Sequence, residues 1–287
     1  MKHTDLLQRY LFDKADVRGE LVQLEASYQQ ILANHDYPAV VQRLLGELQA
    51  ATAMLTATLK FEGEIAVQMQ GDGPLSLAVI NGNHNHVMRG IARFTGEVPE
   101  GDLQAQLGKG HLVITITPTD GERYQGIVAL DKPTLAANIE QYFAQSEQLN
   151  TRLWLHADGN KAGGMLLQQM PASNVIATVP FEHLEALTDT IKADELYSLA
   201  ANELLYRLYH EESIQLFAAS DISFACGCSR QRSLAALASI DKAELEQILA
   251  EQGQIKMHCD YCHSNYHFDA VDVAGLGQTQ ASSDTRH

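Results

Sequence analysis

Cysteine is absent from the first 225 residues of this 287-residue chain; all four cysteines follow Phe224. That is not the distribution of a secreted disulfide scaffold, whose cysteines spread through the fold. Basic residues are scarce too. The 20 Lys and Arg face 36 Asp and Glu, a net charge of −16, which argues against nucleic acid or an anionic membrane surface as the main partner. No apolar run approaches the roughly 20 residues of a membrane span. The N-terminal MKHTDLLQRYLFDKAD lacks the apolar stretch of about 7–15 residues that marks a secretory signal, so a cytoplasmic protein is expected. There is no GxSxG, no internal repeat, and in the sheet domain no cysteine near a plausible catalytic histidine. Gly108-Lys109-Gly110 lacks the spacing of a phosphate loop and reads as a turn before a strand. No enzyme site is expected. What the chain does have is 45% hydrophobic residues, which excludes wholesale disorder, and a length that fits about two domains.

Residues 1–175 read as an α+β core domain with a mixed or antiparallel sheet. Residues 14–24 are rich in strand formers, weakened at Gly19. Pro38 opens a helix in which Val41, Leu44, Leu45, Leu48 and Leu55 recur at helical spacing. Ile65, Val67 and Met69 share one strand face, and Leu75, Leu77 and Val79 share the next. The tract Gly71-Asp72-Gly73-Pro74 supplies the turn between them, and Asn81-Gly82-Asn83 signals another hairpin. Residues 111–118 and 124–130 form a further pair. A helix after Pro133 carries Leu135, Ile139, Tyr142 and Phe143, and strands over 152–156 and 164–169 follow. Hairpins with interspersed helices exclude a regular βαβ fold.

Residues 176–225 read as a helical linker. Between 180 and 225, nine acids and two bases leave a net −7 on an amphipathic pattern. Its apolar positions include Leu184, Leu187, Ile191, Leu196, Leu199, Leu204, Leu205 and Leu208. The pattern fits a connector packed on the sheet domain, or a metastable one whose apolar face a switch exposes. Residues 226–287 form a small C-terminal domain, with a helix over 231–251 capped by Ser239 or Asp241 and little to pack from Gly275 onward.

The cysteines of that domain are spaced Cys226-Gly-Cys228, 30 residues, Cys259-Asp-Tyr-Cys262. Two close pairs separated by a helix-length insert suit a tetrahedral four-thiolate zinc site, and so small a module benefits from a metal. Ordinary buried thiols or plain disulfides are the alternatives. His258, His263 and His267 crowd the second pair and could substitute as ligands, although four sulfurs already complete a tetrahedron. The CxC spacing differs from the CxxC of an ordinary zinc ribbon. A disulfide across one intervening residue closes a tight, easily reduced ring, which suits a reversible sensor better than a permanent staple. His84-Asn85-His86 offers two imidazoles but no third ligand nearby in sequence, and reads as an exposed hairpin.

The chain resembles the heat shock protein 33 family of bacterial redox-regulated chaperones over nearly its whole length. The resemblance rests on YLFDKADVRGELV, HDYPAVVQRLLGEL, LTATLKFEGEIAVQMQGDGP, YFAQSEQL, AGGMLLQQMP, FACGCSRQR and HCDYC. It implies that Cys226, Cys228, Cys259 and Cys262 bind one Zn2+ per chain in a reduced, inactive form. It implies that oxidation pairs Cys226 with Cys228 and Cys259 with Cys262, releases zinc and unfolds the C-terminal region. It further implies an active homodimer that holds unfolded or partially folded client proteins without ATP. His263 departs from the glycine that often follows the last cysteine in the family, which bears on the geometry of that turn.

Two rival functions are weaker. A zinc-ribbon nucleic-acid binder should be basic, yet residues 226–287 carry five bases and eight acids. A thiol–disulfide oxidoreductase built on Cys259 and Cys262 would need an exposed thiol on a thioredoxin-like βαβ frame, which the surrounding sequence does not offer.

Overall fold

A computed structural model describes residues 5–33, 35–58, 62–171 and 178–279. They fall into two compact units divided between Ala225 and Cys226. The expected boundary at 175/176 and the last eight tail positions lie outside the described residues.

The first unit begins with β1 (Leu6–Phe12), β2 (Val17–Leu24), α1 (Ala26–Leu32) and α2 (Ala39–Thr56). The strands β3 (Gly63–Gly71), β4 (Leu75–Asn83) and β5 (Val87–Phe94) form a meander. After α3 (Leu103–Leu107) come β6 (Gly110–Pro118) and β7 (Tyr124–Ala129). Then α4 (Leu135–Tyr142) leads to β8 (Thr151–Ala157) and β9 (Ala162–Gln169). The residues expected to form a linker supply α5 (Phe181–Thr188), α6 (Ala193–Ser198) and α7 (Ala201–Tyr209). They continue as β10 (Ile214–Leu216), β11 (Ser220–Asp221) and β12 (Ser223–Phe224).

Two six-stranded sheets result. The first runs β10-β1-β2-β9-β8, with β11 also on β1, and is antiparallel throughout. The second runs β12-β5-β4-β3-β6-β7, and only the β12–β5 pairing is parallel. Helix α2 packs on both sheets. Fourteen of its 18 residues are buried, so its apolar character runs around the helix instead of along one stripe. Leu45, Leu48 and Met54 meet Val22, Leu24 and Leu166 from the first sheet and Ile65, Val67 and Met69 from the second in one cluster.

The opposite face of the first sheet makes a second core. Tyr10, Val17, Leu21, Met165 and Leu167 pack against Leu184, Ile191, Leu196, Leu204, Leu205, Leu208 and Tyr209 of the three linker helices. Leu187, on the same periodic stripe, is only half-buried. Polar contacts hold the same surface. Gln23 Nε2 donates to the Leu196 and Leu199 carbonyls at 2.6 and 2.9 Å, satisfying groups that a helix end leaves open. Trp154 Nε1 donates to Asp189 Oδ1 at 2.8 Å, and Arg152 Nε lies 3.0 Å from Glu185 Oε1. Part of the linker's acidity is local. Glu195 and Glu203 accept from the Lys192 and Ala200 amides, closing the N-termini of α6 and α7.

Three expectations need correction. The linker is helical only to Tyr209. Beyond it, residues 214–224 pair with β1 and β5, and that distant register makes strands of segments too short to show a period. The single helix expected over 231–251 is two, α8 (Arg230–Leu237) and α9 (Lys242–Gln252). Asp241 breaks it, because its carboxylate accepts from the Ala243 amide and starts a new helix. The segment from Gly275 is not wholly loose, since α10 spans Ala270–Thr279.

Glu20 is a buried acid in β2, 2% exposed, facing no hydrogen-bond partner at Oε2 among the described residues. Burial raises its pKa to about 7 against the opposing pull of Arg18 and Arg9. The folded chain thus keeps a proton that the unfolded chain gives up near its ordinary value of about 4.3. The stability tied to this group is full below that value and is lost as pH rises toward 7. Glu20→Gln should therefore raise stability by up to about 3 kcal/mol at pH 8 and change it little at pH 4, as read by urea unfolding at both pH values. A variant less stable than the parent at pH 8 would contradict this account.

Candidate metal centre

The second unit is α8, α9, the hairpin of β13 (Ile255–His258) and β14 (Asn265–Phe268), and α10. Its core is small: Leu237, Leu245, Ile255, Phe268 and Val273 are the buried members, with Leu234, Ile248 and Leu249 around them. Both cysteine pairs sit on turns at the ends of these elements.

Cys226 and Cys228 flank a tight turn in which the Cys228 amide donates to the Cys226 carbonyl. Ser229 directly after it caps α8, its hydroxyl accepting from the Arg232 amide at 3.1 Å, and Arg232 reaches back to the Gly227 carbonyl at 2.7 Å. The cap and the arginine fix the CxC turn against the helix start. Cys259 and Cys262 occupy the loop of the β13–β14 hairpin. The Cys259 amide donates to the Ser264 carbonyl at 2.9 Å and the His263 amide to the Cys259 carbonyl at 2.8 Å. His263 holds φ at 57°, the left-handed conformation that glycine adopts without cost. The turn thus keeps its shape with a residue less suited to it.

The four sulfurs lie within 4.8 Å of one another. Cys226 Sγ is 3.4 Å from Cys259 Sγ, and Cys228 Sγ is 3.3 Å from Cys262 Sγ. Four sulfurs at the usual zinc–thiolate length of about 2.3 Å stand about 3.8 Å apart in a tetrahedron. The donor set and its spacing therefore fit one soft, four-coordinate ion. Burial pushes the Cys226 and Cys259 thiols up. Burial opposes ionisation of Cys262 as well, but hydrogen bonding to Ser264, Cys228 and Cys226 outweighs it and brings the thiol to about 6. So crowded a set of sulfurs carries several negative charges together only around a cation.

Among the described residues this is the one group of three or more Cys, His, Asp or Glu side chains placed to hold a metal. The imidazoles of His258, His263 and His267 are exposed and do not join that group; the rings of His258 and His263 lie 4.9 Å apart, and His258 Nδ1 is 3.0 Å from Asn265 Oδ1. His84 and His86, expected on an exposed hairpin, are half-buried and bond to residues outside their own turn. The Gly63 amide donates to His84 Nδ1 at 3.1 Å, and His86 Nδ1 is 3.2 Å from Thr56 Oγ1. Two residues not singled out from the sequence join the sulfurs. The Tyr266 hydroxyl is 3.1 Å from Cys228 Sγ, and Cys262 Sγ is 3.2 Å from Ser264 Oγ. Proximity of Ser264 and Tyr266 to Cys262 in sequence was the available signal, but only the hairpin register aims them.

Comparison with known proteins places this architecture. The family model described as Hsp33 protein matches residues 5–269. A 33 kDa chaperonin of Shewanella woodyi is 58% identical, covering 98% of this chain and 99% of that protein. One from Shewanella oneidensis is 59% identical with the same coverage. The crystal structure of a 33 kDa chaperonin from Thermotoga maritima superposes with a TM-score of 0.80 at 21% identity, covering 98% of this chain and all of that one. The fold is that of a chaperone family, and the cysteine tetrad is placed so that it could hold a metal. The chain belongs to the Hsp33 family, and membership supports a chaperone role.

Proposed function

We propose that this protein is a redox-regulated, ATP-independent holdase. The observation that carries the reading is the convergence of four thiols in a unit with few buried residues, joined in sequence to helices that cover one face of a sheet. Cys226, Cys228, Cys259 and Cys262 would hold one Zn2+, which when bound keeps the sulfurs as thiolates and ties the two turns together. Each cysteine pair can lose two electrons and, with a peroxide, yield one disulfide and two waters. Such oxidation within Cys226–Cys228 and Cys259–Cys262 removes all four thiolate donors at once. The second unit then loses its staple. Strand β12 ends at Phe224 and the next residue, Ala225, donates its amide to the Met88 carbonyl at 3.1 Å, so disorder beginning at Cys226 reaches the end of the linker directly through the chain. Release of the linker would uncover both apolar faces for unfolding clients or for a second subunit.

The rivals find less support. The hairpin that carries Cys259 and Cys262 has no βαβ frame around it, and the second unit retains its acidic balance. The test measures bound zinc and suppression of the aggregation of a thermally unfolding protein, without ATP, before and after peroxide at mildly raised temperature. One zinc per chain with no suppression, turning into no zinc with suppression, is the expected result. Zinc retained in a fully active oxidised protein would overturn the reading.

A further inference from the structure

Two hydroxyl groups reach the sulfurs from the β13–β14 hairpin. Tyr266 lies in β14 opposite Met257, and its ring packs on the small core of the unit. That packing aims the hydroxyl at Cys228 Sγ, 3.1 Å away on the other cysteine turn. Ser264 lies in the loop, two residues after Cys262, with its Oγ 3.2 Å from Cys262 Sγ. A thiolate held by a metal has no proton to give, so in the filled site each hydroxyl donates and the sulfur accepts. Main-chain amides bond to sulfur as well: that of Cys228 to Cys226, those of Tyr261 and Cys262 to Cys259, and that of Ser264 to Cys262. Those follow from the turns themselves and survive a change of side chain. The two hydroxyls do not, and one falls to each cysteine pair.

A hydrogen bond acts in opposite senses on a free cysteine and on a metal-bound one. On a free thiol it favours the anion and so raises the fraction present as thiolate, the form that reacts. Where a cation already keeps every sulfur deprotonated, that fraction cannot rise. Only the second effect is left: a sulfur that shares its charge with a donor is a weaker nucleophile. A hydrogen bond to a charged group changes basicity by about ten- to a hundredfold, and sulfur nucleophilicity follows with a slope of about 0.4–0.5. Each hydroxyl should therefore slow attack by its sulfur about three- to tenfold.

We infer that Tyr266 and Ser264 are positioning residues whose hydroxyls restrain the oxidation of metal-bound Cys228 and Cys262, and so set how much oxidant opens the site; the inference rests on the redox-switch reading. In the restrained step a thiolate attacks a peroxide oxygen. An S–O bond forms as the O–O bond breaks, and hydroxide leaves. The second thiolate of the pair then displaces hydroxide from the sulfenic sulfur and forms the disulfide. The two sulfurs lose two electrons, the peroxide gains them, and two protons from solvent turn both hydroxides into water. The restraint lapses once the metal has gone and the hairpin no longer aims the hydroxyls.

The test uses reduced, zinc-loaded full-length protein and a small amount of iodoacetamide, with the first alkylation at each cysteine mapped by mass spectrometry. Tyr266→Phe keeps the ring and should speed the reaction about three- to tenfold at Cys228 while leaving Cys226 and Cys259 within about twofold. Ser264→Ala should do the same at Cys262. Zinc release by peroxide should quicken in both variants, and the gain in alkylation should vanish in chelator-treated protein. A merely structural role would instead raise all four sulfurs together and speed the loss of zinc to a chelator without oxidant; that result overturns the inference. So does an unchanged rate at Cys228 in Tyr266→Phe, or an unchanged release of zinc by peroxide. If Tyr266→Phe does not hold zinc, Ser264→Ala decides by the same criteria at Cys262. Loss of zinc from both variants would make the hydroxyls part of metal binding itself and also overturns the restraint. Alkylation needs neither oxidation nor client, so the redox-switch reading fails separately, when the unaltered protein is fully active after oxidation with its zinc still bound.

Discussion

Leu184→Glu combined with Leu205→Glu is expected to give reduced, metal-loaded protein the aggregation-suppressing activity that the proposed function assigns to the oxidised chain. Leu184 and Leu205 are 0% and 1% exposed, both inside the cluster that joins the linker helices to Tyr10, Val17, Leu21, Met165 and Leu167. Each substitution forfeits about 1.5–3 kcal/mol of burial. Each also places a carboxylate inside an apolar cluster, so the helices can keep their contact only by burying a charge. Leu187 is the weaker position for this test because it packs at the margin of the cluster. The other core, around α2, contains neither residue, so the two-sheet body should stay folded. Trp154, the single tryptophan, touches the same cluster and donates to Asp189, and its fluorescence reports the departure of α5. A double variant with a displaced Trp154 signal but no activity until oxidised would show that the linker is not the cover of the client surface.

Cys262→Ser should abolish stable metal binding and unfold residues 226–279 while leaving the first unit intact. Serine is a hard, protonated donor in place of a soft thiolate, and a closed tetrahedral site has no ligand to spare. A structural zinc supplies about 10–16 kcal/mol of apparent folding energy in modules of this kind. Five buried side chains cannot replace that. Metal analysis together with limited proteolysis reads both effects: less than one metal per chain, and cleavage confined to positions beyond Ala225. A strong chelator under reducing conditions should give the same cleavage pattern in the unaltered protein. Full metal content and unchanged resistance in Cys262→Ser would remove the four-thiolate assignment.

Much of this was legible in residues alone because the signals were local. The helix after Pro38, the alternation through Ile65, Val67 and Met69, and the paired cysteines each depend on neighbours a few positions apart, where backbone geometry fixes which side chains share a face. The apolar stripe of the linker was legible for the same reason, as was the acidic surplus that separates it from a nucleic-acid surface. What sequence could not show depends on partners far along the chain. Strand β1 was missed because both of its faces are buried, Leu7 in one core and Tyr10 and Phe12 in the other, which erases the apolar–polar alternation of a half-exposed strand. Strands β10 to β12 exist only through pairing with β1 and β5, some 135 to 215 positions away. The spacing of the cysteines determined that four sulfurs could meet. Which sulfurs stand nearest, that Ser264 and Tyr266 join them, and that His263 takes a left-handed turn were decided by the hairpin register, because hydrogen bonds between β13 and β14 set directions that composition and spacing do not carry.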